Sequence, residues 1–180
     1  MPDRWTILNF GLFQIGWLVC VLSAAASTNL PAILMTAFFV LIHQRFYPWF
    51  GVDLKLIAAG VTVGLILDSS WSALGWMGYS AQSYAPIAPW WILCLWVNFM
   101  LTLNHSLAWM LPRWRLAAIC SAIASPLSYF AGSKFLAIEW LQPVPMLIAA
   151  SVSWAIVVPL LIMLANHLRK QQQESLHAVG

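Results

Sequence analysis

The sequence predicts an all-α integral membrane protein of six transmembrane helices with both termini on the cytoplasmic side. Three observations predict it. Of the 180 residues, 62% are hydrophobic and only 7% charged, whereas soluble domains are about one quarter charged. The apolar residues gather into six runs, each meeting or approaching the roughly 20 residues that cross a hydrocarbon core of about 30 Å. Seven of the eight Lys and Arg residues fall in the gaps between these runs, and the gaps alternate as the two sides of a membrane would.

Helices are expected near residues 5–25, 31–46, 54–76, 89–111, 115–137 and 144–167, making one transmembrane domain over 1–168 with a polar cytoplasmic tail over 169–180. The first run ends in Ala24-Ala25-Ala26, which resembles a signal-peptide cleavage site. The apolar stretch before it is about 20 residues, longer than a signal's hydrophobic region, so it is read as an uncleaved first helix. The second run is the shortest and the least able to span without strain; Pro31 suits its first turn. Pro48, Pro86, Pro89, Pro112, Pro143 and Pro145 mark the connections. Pro126 and Pro159 fall inside helices five and six, where each frees a backbone carbonyl. Kinks there would open a cavity, although kinks without a function are the commoner outcome. The tail, with Gln171-Gln172-Gln173-Glu174, is expected to fray into a short exposed helix or disorder.

Orientation follows from the basic residues. Arg4, Arg45, Lys55, Arg113, Arg115, Arg169 and Lys170 lie on one side, and the opposite loops carry only Lys134, beside Glu139. The positive-inside rule makes the first side, and with it both termini, cytoplasmic. Of the twelve Trp residues, Trp5, Trp49, Trp90, Trp91, Trp114 and Trp140 stand at the ends of apolar runs, as an interfacial aromatic belt requires. A net charge of +3 and a pI near 9.0 do not indicate nucleic-acid binding, because the basic residues flank membrane segments instead of forming a patch. Cys20, Cys94 and Cys120 lie within apolar runs without zinc or disulfide spacing and read as small buried residues.

A faint internal repeat pairs Leu56-Ile57-Ala58-Ala59-Gly60-Val61-Thr62 with Leu147-Ile148-Ala149-Ala150-Ser151-Val152-Ser153, and Asn9-Phe10 with Asn98-Phe99. Three helices per unit would make a 3+3 inverted repeat of the kind found in transporters, although an apolar alphabet generates such matches readily.

The polar residues inside the runs carry the functional expectations. Gly60, Gly64, Asp68 and Ser72 form one stripe of helix three. The glycines read as a close-packing face, while an intramembrane carboxylate costs a few kcal/mol and is a functional candidate by default. Helix four carries Trp91, Cys94, Asn98, Thr102, His105 and Trp109 on one face, together with Asn104-His105-Ser106. A lone intramembrane His is more often a hydrogen-bonded packing residue than a base. Ser121, Ser125, Ser128 and Gly132 suit close packing of helix five against helix three or four. By depth, Asp68, Asn98, Ser128 and Tyr129 fall in the outer half and, with Trp71 and Gln14, form a candidate ligand site. Asn9, His43, His105 and Ser121 fall in the inner half, and Asn9, Asn104, His105 and Ser106 form a second polar cluster. Asp68 and His105 differ by roughly 10 Å in height, too far for a dyad. An Asp68–Lys134 ion pair is conceivable only if the Pro126 kink rotates Lys134, whose simpler reading is snorkelling to the outer interface.

Familiar catalytic sets are missing. One Asp in a helix core cannot make a two-aspartate protease, and no Gly-x-Ser-x-Gly elbow exists. His43, His105, His167 and His177 have no metal-site spacing, no glycine-rich phosphate loop appears, and neither metal nor cofactor is expected.

Several stretches together carry a resemblance: Asn9 to Gly16-Trp17, Leu67-Asp68-Ser69, Leu103-Asn104-His105-Ser106-Leu107-Ala108-Trp109 and Ser125-Pro126-Leu127-Ser128-Tyr129-Phe130-Ala131-Gly132. Across most of its length the chain resembles a small bacterial inner-membrane family known as a domain of unknown function, number 2878. That resemblance implies neighbourhood to enzymes that modify membrane lipids, such as cyclopropane-fatty-acid-type methyltransferases and flavin oxidoreductases, but no reaction. The expected function is therefore an accessory to lipid modification, binding a lipid or small apolar ligand or docking a partner enzyme at the cytoplasmic face. A small-molecule transporter, or its substrate-binding subunit, and a membrane enzyme using Asp68 or His105 are the alternatives. The bilayer is the one certain partner, and oligomeric state is open.

Overall fold

A computed structural model describes residues 4–47 and 49–179; Pro48, expected in a connection, lies outside them. Six helices follow one another: α1 Arg4–Ala25, α2 Leu30–Phe46, α3 Phe50–Ala73, α4 Trp90–Leu103, α5 Trp114–Lys134 and α6 Pro143–Val179. α1, α3, α5 and α6 are each long and apolar enough to cross a membrane, while α2 and α4 are shorter apolar helices. The chain is a multi-pass membrane protein. One departure from an all-helical reading is an antiparallel pair of three-residue strands, β1 Met77–Tyr79 and β2 Ile138–Trp140, with Gly78 opposite Glu139. These strands cross-link the α3–α4 and α5–α6 connections, so the bundle has a sheet end and, opposite it, a basic end.

α4 is the centre, packed against α1, α2 and α3, while α5 and α6 form a close hairpin joined to the rest through α3. Trp91, Ile92, Trp96, Asn98, Met100 and Leu101 point in several directions from α4, and all are buried. This helix has 14 residues, about 21 Å, where 89–111 was expected from the unbroken apolar run. It stops at Leu103, and Asn104-His105-Ser106 is a turn leading to a short 3-10 turn at Ala108–Met110. Non-helical backbone at membrane depth is tolerated only where protein supplies its hydrogen bonds. Two asparagines do so. Asn9 of α1 donates to Leu101 O at 2.9 Å and accepts from Ser106 N at 3.1 Å. At the other end Asn29, before α2, accepts from Trp91 N at 3.2 Å and donates to Ala81 O at 3.0 Å.

The glycine stripe of α3 packs on α4 as expected of small residues. A methyl group added at Gly60 would overlap the Met100 side chain, and one at Gly64 the Trp96 indole. The serine stripe of α5 faces α6 instead of α3 or α4: Ser121 Oγ donates to Trp154 O at 2.9 Å and Ser125 Oγ to Ala150 O at 3.2 Å. Ser128 stands on another face, exposed. The polar tail does not break from the helix. Residues 169–179 extend α6 to 37 residues, because Lys, Arg, Gln and Glu are good helix formers and no Pro or Gly intervenes. Trp91, assigned to the interfacial belt, is fully buried and its indole donates to Ser80 O at 2.9 Å.

Gly64→Val should lower stability in a detergent-denaturation titration by about 1–3 kcal/mol, the usual overpacking cost. Gly11→Ala, where an added Cβ meets nothing within 4 Å, should leave it unchanged or raise it. Equal effects of the two would contradict the α3–α4 contact.

Candidate functional site

Two carboxylates organise the buried polar groups, one near each end of α3. Asp68, fully buried, accepts from Tyr79 Oη at 2.8 Å and Tyr129 Oη at 3.0 Å on Oδ1, and from Trp96 Nε1 at 3.0 Å on Oδ2. Tyr79 comes from β1, Tyr129 from α5 and Trp96 from α4, so one side chain joins three elements. Trp71 packs edge-on to Tyr129, with ring centroids 5.6 Å apart. Burial and the neighbouring carboxylate push the Tyr79 phenol well above its ordinary value, and it remains a donor.

This cluster differs from the expected outer site in two respects. Lys134 is exposed, its Nζ 4.9 Å above the Phe130 ring, and among the described residues it forms no ion pair with Asp68. α5 stays helical past Pro126 to Lys134, so no rotation brings the two together. Asn98 is also elsewhere. It lies two residues from Trp96, about 200° around α4, and its amide meets Gly16 and Cys20 of α1, with a weak contact to Cys20 Sγ at 3.9 Å. Of the expected outer site, Asn98 is therefore divided from Asp68 and Tyr129 by the body of α4.

At the basic end, Asp53 is the organising residue. It is fully buried, accepting from Asn104 Nδ2 at 2.8 Å on Oδ1 and pairing with His105 Nε2 at 2.8 Å on Oδ2. His43 lies beside them, its ring 4.3 Å from the Tyr47 ring and 4.9 Å from that of His105. With Nδ1 donating to Phe39 O at 3.0 Å, His43 Nε2 is left to accept from Asn9 Nδ2 at 2.8 Å. Asn9, Asn104, His105 and Ser106 thus do meet. His43 was expected at this depth but not in the cluster; Asp53 and Tyr47 were missed, Asp53 because α3, which begins at Phe50, was expected to begin at residue 54, leaving it in a loop. The one local signal was its place a single residue before the expected start of α3, where one more turn of helix takes it in. Asp53 and Asp68 are fifteen residues apart, about 22 Å along one helix, too far to share a proton.

Between α1, α4 and α5 lies a cleft of about 680 Å³, within the range of small-ligand sites. Phe13, Gln14 and Trp17 form its α1 wall, Ser128 and Tyr129 part of its α5 wall, and Phe99 with Trp154 its floor. α1 and α5 are bridged across it by Trp17, whose Nε1 donates to Ser128 Oγ at 3.0 Å and whose ring meets Phe135 edge-on at 6.3 Å. Gln14 and Ser128 are exposed at its rim, and no groups of three or more His, Cys, Asp or Glu suited to a metal occur among the described residues. An apolar, aromatic cleft with a few amide and hydroxyl groups can hold a hydrocarbon body and orient a small polar end. Of the expected ligand residues, Gln14, Ser128 and Tyr129 line it; Asp68 and Trp71 support Tyr129 from behind.

One protein family, described as protein of unknown function (DUF2878), matches the chain over residues 6–160, a stretch that takes in both clusters and the cleft. No curated protein matches the chain, and no solved structure does.

Tyr129→Phe should cost about 1 kcal/mol, since Asp68 retains two donors, whereas Asp68→Leu leaves three donors unpaired and should cost about 3 kcal/mol or more. Asp53→Ala should cost a similar 3–5 kcal/mol, the range for breaking a buried pair. Unfolding titrations in detergent read all three, and an Asp68→Leu protein as stable as the parent would refute the cluster's structural role.

Proposed function

The chain belongs to the family described as protein of unknown function (DUF2878), and we propose that it is an inner-membrane protein, accessory to membrane-lipid modification, that holds a lipid chain or small apolar ligand in the α1–α4–α5 cleft. In this reading all six helices form the membrane domain, with the shorter α2 and α4 embedded among the others and both termini cytoplasmic by the positive-inside rule. The observation that carries the reading is the cleft itself: about 680 Å³, aromatic on three sides, with Gln14 and Ser128 exposed at its rim to fix a ligand's orientation. The basic end, with seven Lys and Arg residues, is the face offered to a lipid-modifying enzyme. The wholly hydrogen-bonded state of Asp68 favours binding over acid–base chemistry at the outer level.

One observation favours a second reading. Asp53 holds His105 at 2.8 Å, the arrangement by which a carboxylate orients an imidazole for general-base work. A membrane enzyme using His105 would lose its activity in Asp53→Asn while retaining fold.

Native mass spectrometry of the full chain, released from detergent, tests the first reading. The parent should retain an apolar adduct, and Ala124→Trp, which fills the cleft from α5, should lower its occupancy on the order of tenfold, about 1.4 kcal/mol. A parent without any retained adduct, or equal occupancy in the filled variant, would remove the cleft as the binding site.

A further inference from the structure

The opposite side of α5 carries a second cavity, a groove of about 1240 Å³ between α5 and α6 beneath the β1–β2 strands. From Ala122 to Ser133 its α5 wall runs eleven residues, about 16 Å, roughly the depth of one leaflet of a 30 Å hydrocarbon core. The walls along that depth are apolar, and they open sideways: Ile123 is 59%, Phe130 52% and Val144 68% exposed.

The mouth, at the sheet end, is charged. Glu139 stands opposite Gly78 in the strand register, and because Gly78 has no side chain the carboxylate lies over it, Oε2 3.9 Å from where a Cβ would stand. Lys134, one residue beyond the lining residue Ser133 and itself outside the lining, holds its ammonium 4.9 Å above Phe130, a wall of the groove. These are the two charges that the connections at this end present, yet among the described residues they do not pair with each other. Among the described residues the Trp140 indole N–H, on a residue that lines the groove, is buried without a hydrogen-bond partner. One cation, one anion and one unused donor therefore crown a leaflet-deep apolar trough.

We propose that this groove binds one diacyl phospholipid whose headgroup carries both a phosphate and a primary ammonium. An acyl chain lies against Ile123, Pro126 and Leu147, Lys134 and the Trp140 N–H take the phosphate, and Glu139 accepts from the ammonium. A lipid with phosphate alone would meet Glu139 as an uncompensated like charge. A trimethylammonium headgroup has no N–H to donate to it. The site lies on the other face of α5 from the cleft of the proposed function and does not depend on it.

Native mass spectrometry of the full chain, exchanged against phosphatidylethanolamine, phosphatidylcholine and phosphatidylglycerol of matched acyl chains, tests this assignment. The parent should retain one phosphatidylethanolamine about tenfold over either competitor, the size of one charge-assisted hydrogen bond. Glu139→Gln should erase the preference over phosphatidylcholine, Lys134→Gln should lower retention of all three lipids, and Leu147→Trp should block the groove. Ala124→Trp, in the other cleft, should leave the preference intact. Equal retention of the three lipids by the parent would overturn the proposal, as would an undiminished preference in Glu139→Gln, a surface change that the fold tolerates even if Leu147→Trp does not assemble. A preference lost in Ala124→Trp but kept in Leu147→Trp would assign the lipid to the other cleft and overturn it equally.

Discussion

The fold depends on the capping of α4. At 14 residues this central helix is too short to cross a bilayer, and its backbone ends inside the protein, where each unpaired polar group would cost several kcal/mol. The Asn9 carboxamide takes the place of a missing turn, bonding Leu101 O and Ser106 N. Asn29 does the same for Trp91 N at the far end. Because Asn9 sits in α1 and Asn29 just before α2, the α1–α2 pair is held to α4 at both ends, and the register of the bundle follows.

The two carboxylates of α3 extend the same logic. Asp53 ties the turn after α4 to the start of α3, and Asp68 ties α4, α5 and β1 together through Trp96, Tyr129 and Tyr79. Gly60 and Gly64 bring α3 close enough to α4 for these bonds to form. Between them, these contacts leave α1 and α5 meeting mainly through Trp17. The cleft is the space left over when α4 is gripped from one side and α5 from the other. Its aromatic walls and rim amides are consequences of that separation, and the buried carboxylates serve it by holding Tyr129 and Trp96 in place.

Much of the membrane character was legible in the residues alone, and the site only in part. Hydropathy located every helix, since run length and charge are local properties. It misjudged α4, because the apolar run continues past Leu103 although the helix does not; a turn inside protein leaves no trace in hydropathy once a partner satisfies it. Asp53 was passed over for the same reason, its burial being decided by Asn104 and His105 some fifty residues away. Asn98 and Asp68 shared a depth but not a direction, and depth was all that counting along a helix could supply. The β1–β2 pair escaped notice because two three-residue segments have no periodicity to read.

The amino-acid sequence by itself determined that this chain is a multi-pass membrane protein, where along the chain its helices lie, though not where α4 and α6 end, and which polar side chains inside the apolar runs had to find partners. These follow from composition and spacing, which act along the chain. Only the tertiary structure decided which partners they found: Asp53 for His105, two tyrosines and a tryptophan for Asp68, an aromatic ring instead of a carboxylate for Lys134, and α6 for the serines of α5. Pairing between helices depends on rotation about each helix axis, and that rotation is chosen by the packing of all six together.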